Sequence, residues 1–245
     1  CQELGLSGIG IPEAAGGAGL GLVELAIIAE AAGAQVAALP MLGSLALAAQ
    51  AIAAGGSAAQ REAWLPALLS GETIAAHVPA DDLVAEGDRL TGSCSFVAHG
   101  SAAQLLLVNG AGGSWLVRAD APGVTVTAQT TMDQTRPYAR VTLTGAEGEP
   151  LADHDAATKA ASEAGMVVLA AEGLGLAQAA LNRTVAYARD RVQFGRAIGS
   201  FQAYKHRLAD LMIEIEQARS AVYWAACAVD EGSDEAPLAV HAAKS

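Results

Sequence analysis

Between Arg89 and Pro150 the chain gives up helical spacing for short apolar runs: Leu105 to Val108, Trp115 to Val117, Val124 to Val126 and Val141 to Leu143. Asn109-Gly110, Gly112-Gly113 and Pro122-Gly123 separate them, so the block predicts antiparallel strands. On both sides the spacing is helical. Leu22, Leu25, Ile28 and Ala29 recur at three and four in an alanine- and leucine-rich block from Leu20 to Gly71, and Trp64, Leu65, Leu68 and Leu69 repeat the pattern. Beyond Pro150, residues 156–188 and 201–229 read as helices, the second with Phe201, Tyr204, Leu208, Leu211, Ile215, Ala218 and Val222 on one stripe. Ser200 stands at the N-cap position of that second helix, and Gly232 follows its end. The chain therefore reads as α+β in three blocks: a helical 1–78, an antiparallel β 79–152 packed between its neighbours, and a helical 153–245. Only Ala80 to Asp88 has a weak linker-like composition.

At 245 residues, and with a prior of roughly 150 per domain, one large or two modest domains are expected. Charged residues make up 16% of the chain, against a usual share of about 25%, so part of the surface is expected to be covered by other chains. With 14 basic and 26 acidic residues the net charge is -12, which argues against a nucleic acid or an anionic membrane as partner. Cys1, Cys94 and Cys227 are too scattered for a disulfide framework or a metal knuckle, and a reducing cytoplasm is the expected setting. No run reaches the roughly 18 uncharged apolar residues of a membrane span; the nearest, Met41 to Ala54, carries Gln50 and runs into Gly55-Gly56. The chain opens on Cys1 without a basic leader, and Lys244-Ser245 falls inside a helical pattern, so it reads as part of a longer fold.

There is no Gly-x-Ser-x-Gly elbow, Walker loop or His-Glu-x-x-His, and His77, His99, His154, His206 and His241 never pair at ligand spacing. Metal and acyl-serine chemistry are therefore not expected. Gly16-Gly17-Ala18-Gly19-Leu20-Gly21 lacks both a preceding strand and dinucleotide-loop spacing, and reads as a turn before a helix. The informative segment is Arg183 to Arg207. It holds six of the 14 basic residues (Arg183, Arg189, Arg191, Arg196, Lys205, Arg207) beside one acid, Asp190. These bracket Val192-Gln193-Phe194-Gly195, a break between two helices, and precede a helix start whose free amides favour a phosphate. Arginine, an aromatic ring and a helix N-terminus suit the pyrophosphate and flat base of an adenine dinucleotide. On residue chemistry alone a second reading stands beside it, in which the arginines are a solvated face and Phe194 belongs to the core.

Arg191-Val192-Gln193-Phe194-Gly195-Arg196-Ala197-Ile198-Gly199-Ser200-Phe201-Gln202, with Lys205-His206-Arg207-Leu208-Ala209-Asp210-Leu211 after it, resembles the R-x-Q-F-G...I-x-x-F-Q...K-x-x-L-A-D-M stretch of the acyl-CoA dehydrogenases. Three more pieces agree in order. They are Glu3-Leu4-Gly5-Leu6 with Ile11 to Leu20, Gln60 to Pro66 with Ser70-Gly71-Glu72, and Gly173 to Leu181. Asp133 to Pro137 and the Ile198 to Gln202 variant are most similar to the branch acting on bulky acyl-CoAs, steroid side chains included. The resemblance implies a helical, then β, then four-helix fold. It also implies α,β-desaturation of an acyl-CoA thioester, with a carboxylate taking the α proton and the β hydrogen leaving as hydride to FAD. An electron-transfer flavoprotein is the implied electron acceptor and a homo- or hetero-tetramer the implied assembly. By position, Arg191, Gln193, Phe194, Ile198 and Gln202 correspond to residues that hold the adenosine and phosphate part of FAD across a dimer interface.

Two regions depart from that pattern. The family's T-E-P-x-x-G-S-D loop is replaced by His77-Val78-Pro79-Ala80-Asp81-Asp82, shorter and without hydroxyls. The W-I-T strand that lies along the flavin ring is Phe96-Val97-Ala98, keeping the aromatic and losing the threonine. The catalytic residue is unassigned: where one branch carries its glutamate the chain has Gly165, followed by Met166, while Glu163 lies on another helix face and reads as a surface acid. The commoner site of that glutamate lies beyond Ser245. Two readings follow, a flavoenzyme subunit with an altered site, or a non-catalytic subunit lending Arg191, Phe194 and Gln202 to a competent partner. A helical scaffold without ligand would leave the arginine cluster without a purpose.

Overall fold

The computed structural model describes residues 5–110 and 112–245. Cys1, Glu3 and Leu4, which figured in the sequence reading, lie outside the described residues. Internal contacts divide the chain into two compact units, Cys1–Glu24 with Ala38–Gly165, and Leu25–Ala37 with Met166–Ser245.

In the first unit a π-helical stretch, Leu42–Ala49, runs into helix α2 (Gln50–Gly55), and α3 (Ala58–Ser70) follows. A capping box starts α3: Gln60 N–H donates to Ser57 Oγ at 3.2 Å, and Ser57 N–H to Gln60 Oε1 at 2.8 Å. Gly71, at φ 74, ends it. Two four-stranded sheets complete the unit. One has the order β1 (Ala75–Pro79), β4 (Leu105–Gly110), β5 (Gly113–Arg118), β8 (Glu149–Pro150). The other runs β2 (Val84–Glu86), β3 (Arg89–Ala98), β7 (Tyr138–Glu147), β6 (Val124–Gln129). Pairing is antiparallel except where β1 lies parallel to β4, Ala75 opposite Leu105.

The continuous apolar run Leu105 to Val108 follows from burial on both faces of β4. Leu105 and Leu107 join Ile52, Leu65, Leu68 and Leu116 on the helix side. Leu106 and Val108 join Leu90, Val97, Val141 and Leu143 in the second apolar cluster. β1 is an edge strand, and Ser44 occupies its free side: Ser44 Oγ donates to Ala75 O at 3.1 Å and accepts Ala75 N–H at 2.9 Å. The cluster Gly16 to Gly21 forms a turn, with Gly16 at φ 85, Gly19 at φ 69 and Gly19 N–H donating to Ile11 O at 3.1 Å.

The second unit takes part of α1 (Leu22–Ala34) and most of α4 (His154–Asp190), then a hairpin of β9 (Val192–Gln193) and β10 (Arg196–Ala197), α5 (Gln202–Asp230) and α6 (Ala236–Lys244). Two glycines let α1 and α4 meet backbone to backbone. A Cβ on Gly33 would collide with the Glu172 carbonyl, and one on Gly175 with the Glu30 carbonyl. Glu30 also pairs with Arg219 and accepts the Tyr223 hydroxyl at 2.9 Å, tying α5 to α1, while Arg219 Nη2 donates to Gln178 Oε1 of α4 at 3.0 Å. Burial, then the Glu30 carboxylate, pushes the Tyr223 pKa up.

Ser200 is not the N-cap expected for α5. A 3₁₀ turn, Ile198–Ser200, intervenes, Ser200 Oγ donates back to Ala197 O at 2.7 Å, and Phe201 occupies the cap position without a side-chain bond. Gly232, at φ 63, does follow the helix end. α4 is long enough and apolar enough to cross a membrane by length and composition alone, with a mean hydropathy of 1.6 over its best window, of which 44% is buried within this fold. The apolar run that composition singles out, Met41 to Ala54, corresponds instead to a shorter apolar helical stretch, Leu42–Gly55.

Candidate functional site

The basic segment forms a tight hairpin between α4 and α5. Arg191 N–H still donates to Tyr187 O at 2.9 Å, and Ile198 N–H returns to Arg191 O at 2.8 Å, closing the base of the loop. Between them Gln193 pairs with Arg196 across a two-residue turn whose residues, Phe194 at φ 52 and Gly195 at φ 78, are both left-handed. This is the twist a two-residue hairpin needs. Glycine meets it freely; for phenylalanine the left-handed conformation costs on the order of 1–2 kcal/mol.

Burial does not offset that cost, because Phe194 is 93% exposed. The alternative that placed Phe194 in the core is therefore overturned. Its ring meets Phe201 edge-on, centroids 6.3 Å apart at 87°, and the Arg196 guanidinium sits 4.1 Å from the Phe201 ring centroid on its face. Arg191, Gln193, Arg196 and Gln202 are exposed and Ile198 is half-buried. Of the five residues singled out from the sequence, Arg191, Gln193, Phe194 and Ile198 belong to this hairpin and its closure, and Gln202 opens α5 directly after it.

A different set of polar groups lies in the first unit. The segment after β1 folds onto β3 through Asp82, whose carboxylate accepts Ser93 N–H at 2.9 Å and Ser93 Oγ–H at 3.3 Å. Burial, then the Asp81 and Asp82 carboxylates, pushes the Cys94 thiol up, away from thiolate reactivity. From His77 a line of hydrogen bonds runs across three strands to α4. His77 Nε2 meets Asn109 Oδ1 at 3.0 Å, Asn109 Nδ2 donates to Ser114 Oγ at 2.6 Å, and Ser114 Oγ meets His154 Nδ1 at 2.8 Å. Burial lowers the His77 pKa, and the Asn109 bond opposes it. Sequence reasoning missed this line because its members come from four elements at no recurring interval. Further along β3, Phe96 is exposed and Ala98 offers no hydroxyl.

Gly165 of α4 lies beside leucine side-chain ends of the π-helical stretch. An added Cβ would lie 2.7 Å from Leu47 Cδ2 and 4.0 Å from Leu42 Cδ1, both on the π-helical stretch. Glu163, read as a surface acid, is half-buried. Among the described residues no group of three or more His, Cys, Asp or Glu could hold a metal ion.

Two family models match the chain, the acyl-CoA dehydrogenase N-terminal domain over residues 1–72 and the C-terminal domain over 160–245. The chain belongs to the acyl-CoA dehydrogenase family. It is 37% identical over 222 residues to acyl-CoA dehydrogenase IpdE2 of Mycobacterium tuberculosis, covering 91% of this chain and 62% of that protein. Among solved structures it is similar to a variant of the Tcur3481-Tcur3483 steroid ACAD, with a TM-score of 0.88 and 36% identity over 99% of this chain and 70% of that one. The ChsE4-ChsE5 complex of Mycobacterium tuberculosis gives a TM-score of 0.85 and 33% identity over the same shares, 99% and 70%. The present acyl-CoA dehydrogenase chain thus spans somewhat under two thirds of the length of IpdE2.

The residues present fit FAD unequally. At the hairpin, exposed guanidinium groups and a free aromatic face match a pyrophosphate and an adenine ring. At the ring end an exposed aromatic is present, while Ala98 and the segment 79–82 supply no side-chain hydroxyl.

Proposed function

We propose that this chain is a flavoprotein subunit of an acyl-CoA dehydrogenase that desaturates an acyl-CoA thioester at its α,β bond. One observation carries the reading: a phenylalanine held in a strained turn at the tip of an arginine-flanked hairpin, where only a ligand or a neighbouring chain gains from it. Arg191 and Arg196 neutralise the pyrophosphate, Phe194 faces the adenine, Ile198 forms an apolar wall, and the Gln193 and Gln202 amides bond the remaining polar edge. When bound, FAD supplies the acceptor for the hydride that leaves the β carbon as the α proton is removed. The electrons pass on to an electron-transfer flavoprotein. The assembly is a homo- or hetero-tetramer in the cytoplasm, in keeping with the chain's low charged fraction, and the blocks 1–78, 79–152 and 153–245 are its proposed divisions.

The second reading is a non-catalytic subunit that lends the hairpin to a competent partner. The glycine at position 165 and the missing hydroxyl at Ala98 favour it. So does the likeness to two assemblies that each name two unlike chains. Flavin absorbance per chain separates the two. About one flavin per chain in the protein purified alone supports the catalytic subunit. A colourless chain that gains flavin only when co-purified with a second, unlike acyl-CoA dehydrogenase chain supports the second reading, and no flavin in either preparation contradicts both.

A further inference from the structure

Strands β3 and β7 lose register once. Cys94 stands opposite Val141 and Val97 opposite Ala139, so Ser95 and Phe96 together face the single Arg140. Phe96 absorbs the slip, at φ 60. In a bulge of this kind the left-handed position ordinarily goes to glycine. A phenylalanine there costs on the order of 1–2 kcal/mol, and 65% of its surface is exposed, so core packing does not compensate.

Three strands nevertheless converge to hold it. The bulge takes the Phe96 N–H out of the ladder, and Gln129 Oε1 accepts it at 2.7 Å. Gln129 is the last residue of β6 and pairs with Tyr138 at the start of β7. The Tyr138 ring in turn meets the Phe96 ring edge-on, centroids 6.3 Å apart at 77°. Tyr138 also pairs with Ala98 on the far side of the bulge. An exposed aromatic in an unfavourable backbone conformation, fixed by a side-chain acceptor and a second ring, is the arrangement expected where strain is kept for a ligand.

We propose that Gln129 is a positioning residue: by accepting the Phe96 N–H it fixes the bulge that presents the Phe96 ring, braced by Tyr138, as a platform for the flat ring of a conjugated ligand. The inference rests on the flavin reading above, under which that ligand is the isoalloxazine ring. Because Ala98 carries no hydroxyl, this strand offers the ring an aromatic face, and the geometry of that face depends on one amide oxygen. Gln129 itself touches no ligand.

The test uses three variants in the preparation that holds flavin, the chain alone or with its partner: Gln129→Leu, which removes the acceptor; Gln129→Glu, which keeps it; and Phe96→Gly, which removes both ring and strain. FAD affinity, the visible circular dichroism of the bound flavin and the flavin-free Tm are measured for each. Phe96→Gly is expected to keep or raise the flavin-free Tm while weakening FAD binding about tenfold. Gln129→Leu is expected to weaken binding about threefold or more and to alter the visible dichroism, and Gln129→Glu to restore both. Wild-type affinity and dichroism in Gln129→Leu, or wild-type affinity in Phe96→Gly, overturns the inference. If those variants bind normally while Arg191→Ala does not, the platform fails and the flavin reading stands. A wild-type protein that takes up no FAD in either preparation overturns both.

Discussion

His77 shows how a single side chain is held by what its neighbour is already committed to. The Asn109 amide nitrogen is engaged by Ser114 Oγ, so its oxygen faces His77, and Nε2 must carry the proton it donates. Burial favours the neutral ring and sets its pKa below the usual 6.5, with the Asn109 bond pulling weakly the other way. The unfolded chain therefore binds a proton near 6.5 that the folded chain still refuses. Stability from this group is complete above that pH and is lost as the pH falls toward the lowered folded value. His77→Gln keeps an amide donor for Asn109 and does not titrate. Urea unfolding from about pH 7 to pH 5 is expected to show the wild type losing more stability than the variant, and parallel losses would contradict this assignment. At this scale the sequence is a partial guide: Phe194 and Phe96 stand out by motif, but no spacing rule shows that either backbone is left-handed, because bulges and two-residue turns arise from pairing register.

The helices meet where side chains are absent. Gly33 and Gly175 lie on α1 and α4 with the carbonyls of Glu172 and Glu30 where a Cβ would be. Gly33→Ala or Gly175→Ala forces two backbones apart, and each is expected to cost about 3 kcal/mol or more, with the Glu30–Arg219 pair disturbed as well. Chemical denaturation of the two variants measures this, and a loss below about 1 kcal/mol would show that the helices separate freely. Gly175 stands out in the sequence as part of the Gly173 to Leu181 stretch and Gly33 does not, and a glycine inside a helical pattern does not say what approaches it. β1 escaped notice for a related reason. Ala75, Ala76 and Val78 show no alternation because both faces are buried, and its edge is sealed by a hydroxyl from Ser44, 31 residues earlier in the chain. The α5 start lies one residue later than the spacing predicts because a 3₁₀ turn, indistinguishable by composition from a first helical turn, takes Ser200 out of capping range.

Over the whole chain, the contrast that matters is between a net charge of -12 and a hairpin flanked by arginines. The order of helical, β and helical regions was legible from periodicity, and the family from the Arg191 to Leu211 stretch, since both depend on residues near one another in sequence. No base was legible, because the α4 position where one branch of the family carries its glutamate is Gly165, which has no side chain to accept a proton. Exposed Leu176, Tyr187, Met212 and Ile213 in the second unit agree with a chain that associates with others. The central claim is that the hairpin grips the nucleotide end of FAD, and the flavin-to-protein absorbance ratio of Arg191→Ala against wild type tests it most directly. Losing a guanidinium–phosphate contact of about 1.5–3 kcal/mol corresponds to roughly tenfold to hundredfold weaker retention, so the variant is expected to leave gel filtration largely colourless at wild-type Tm of the flavin-free protein. A variant that stays as yellow as the wild type would contradict the account.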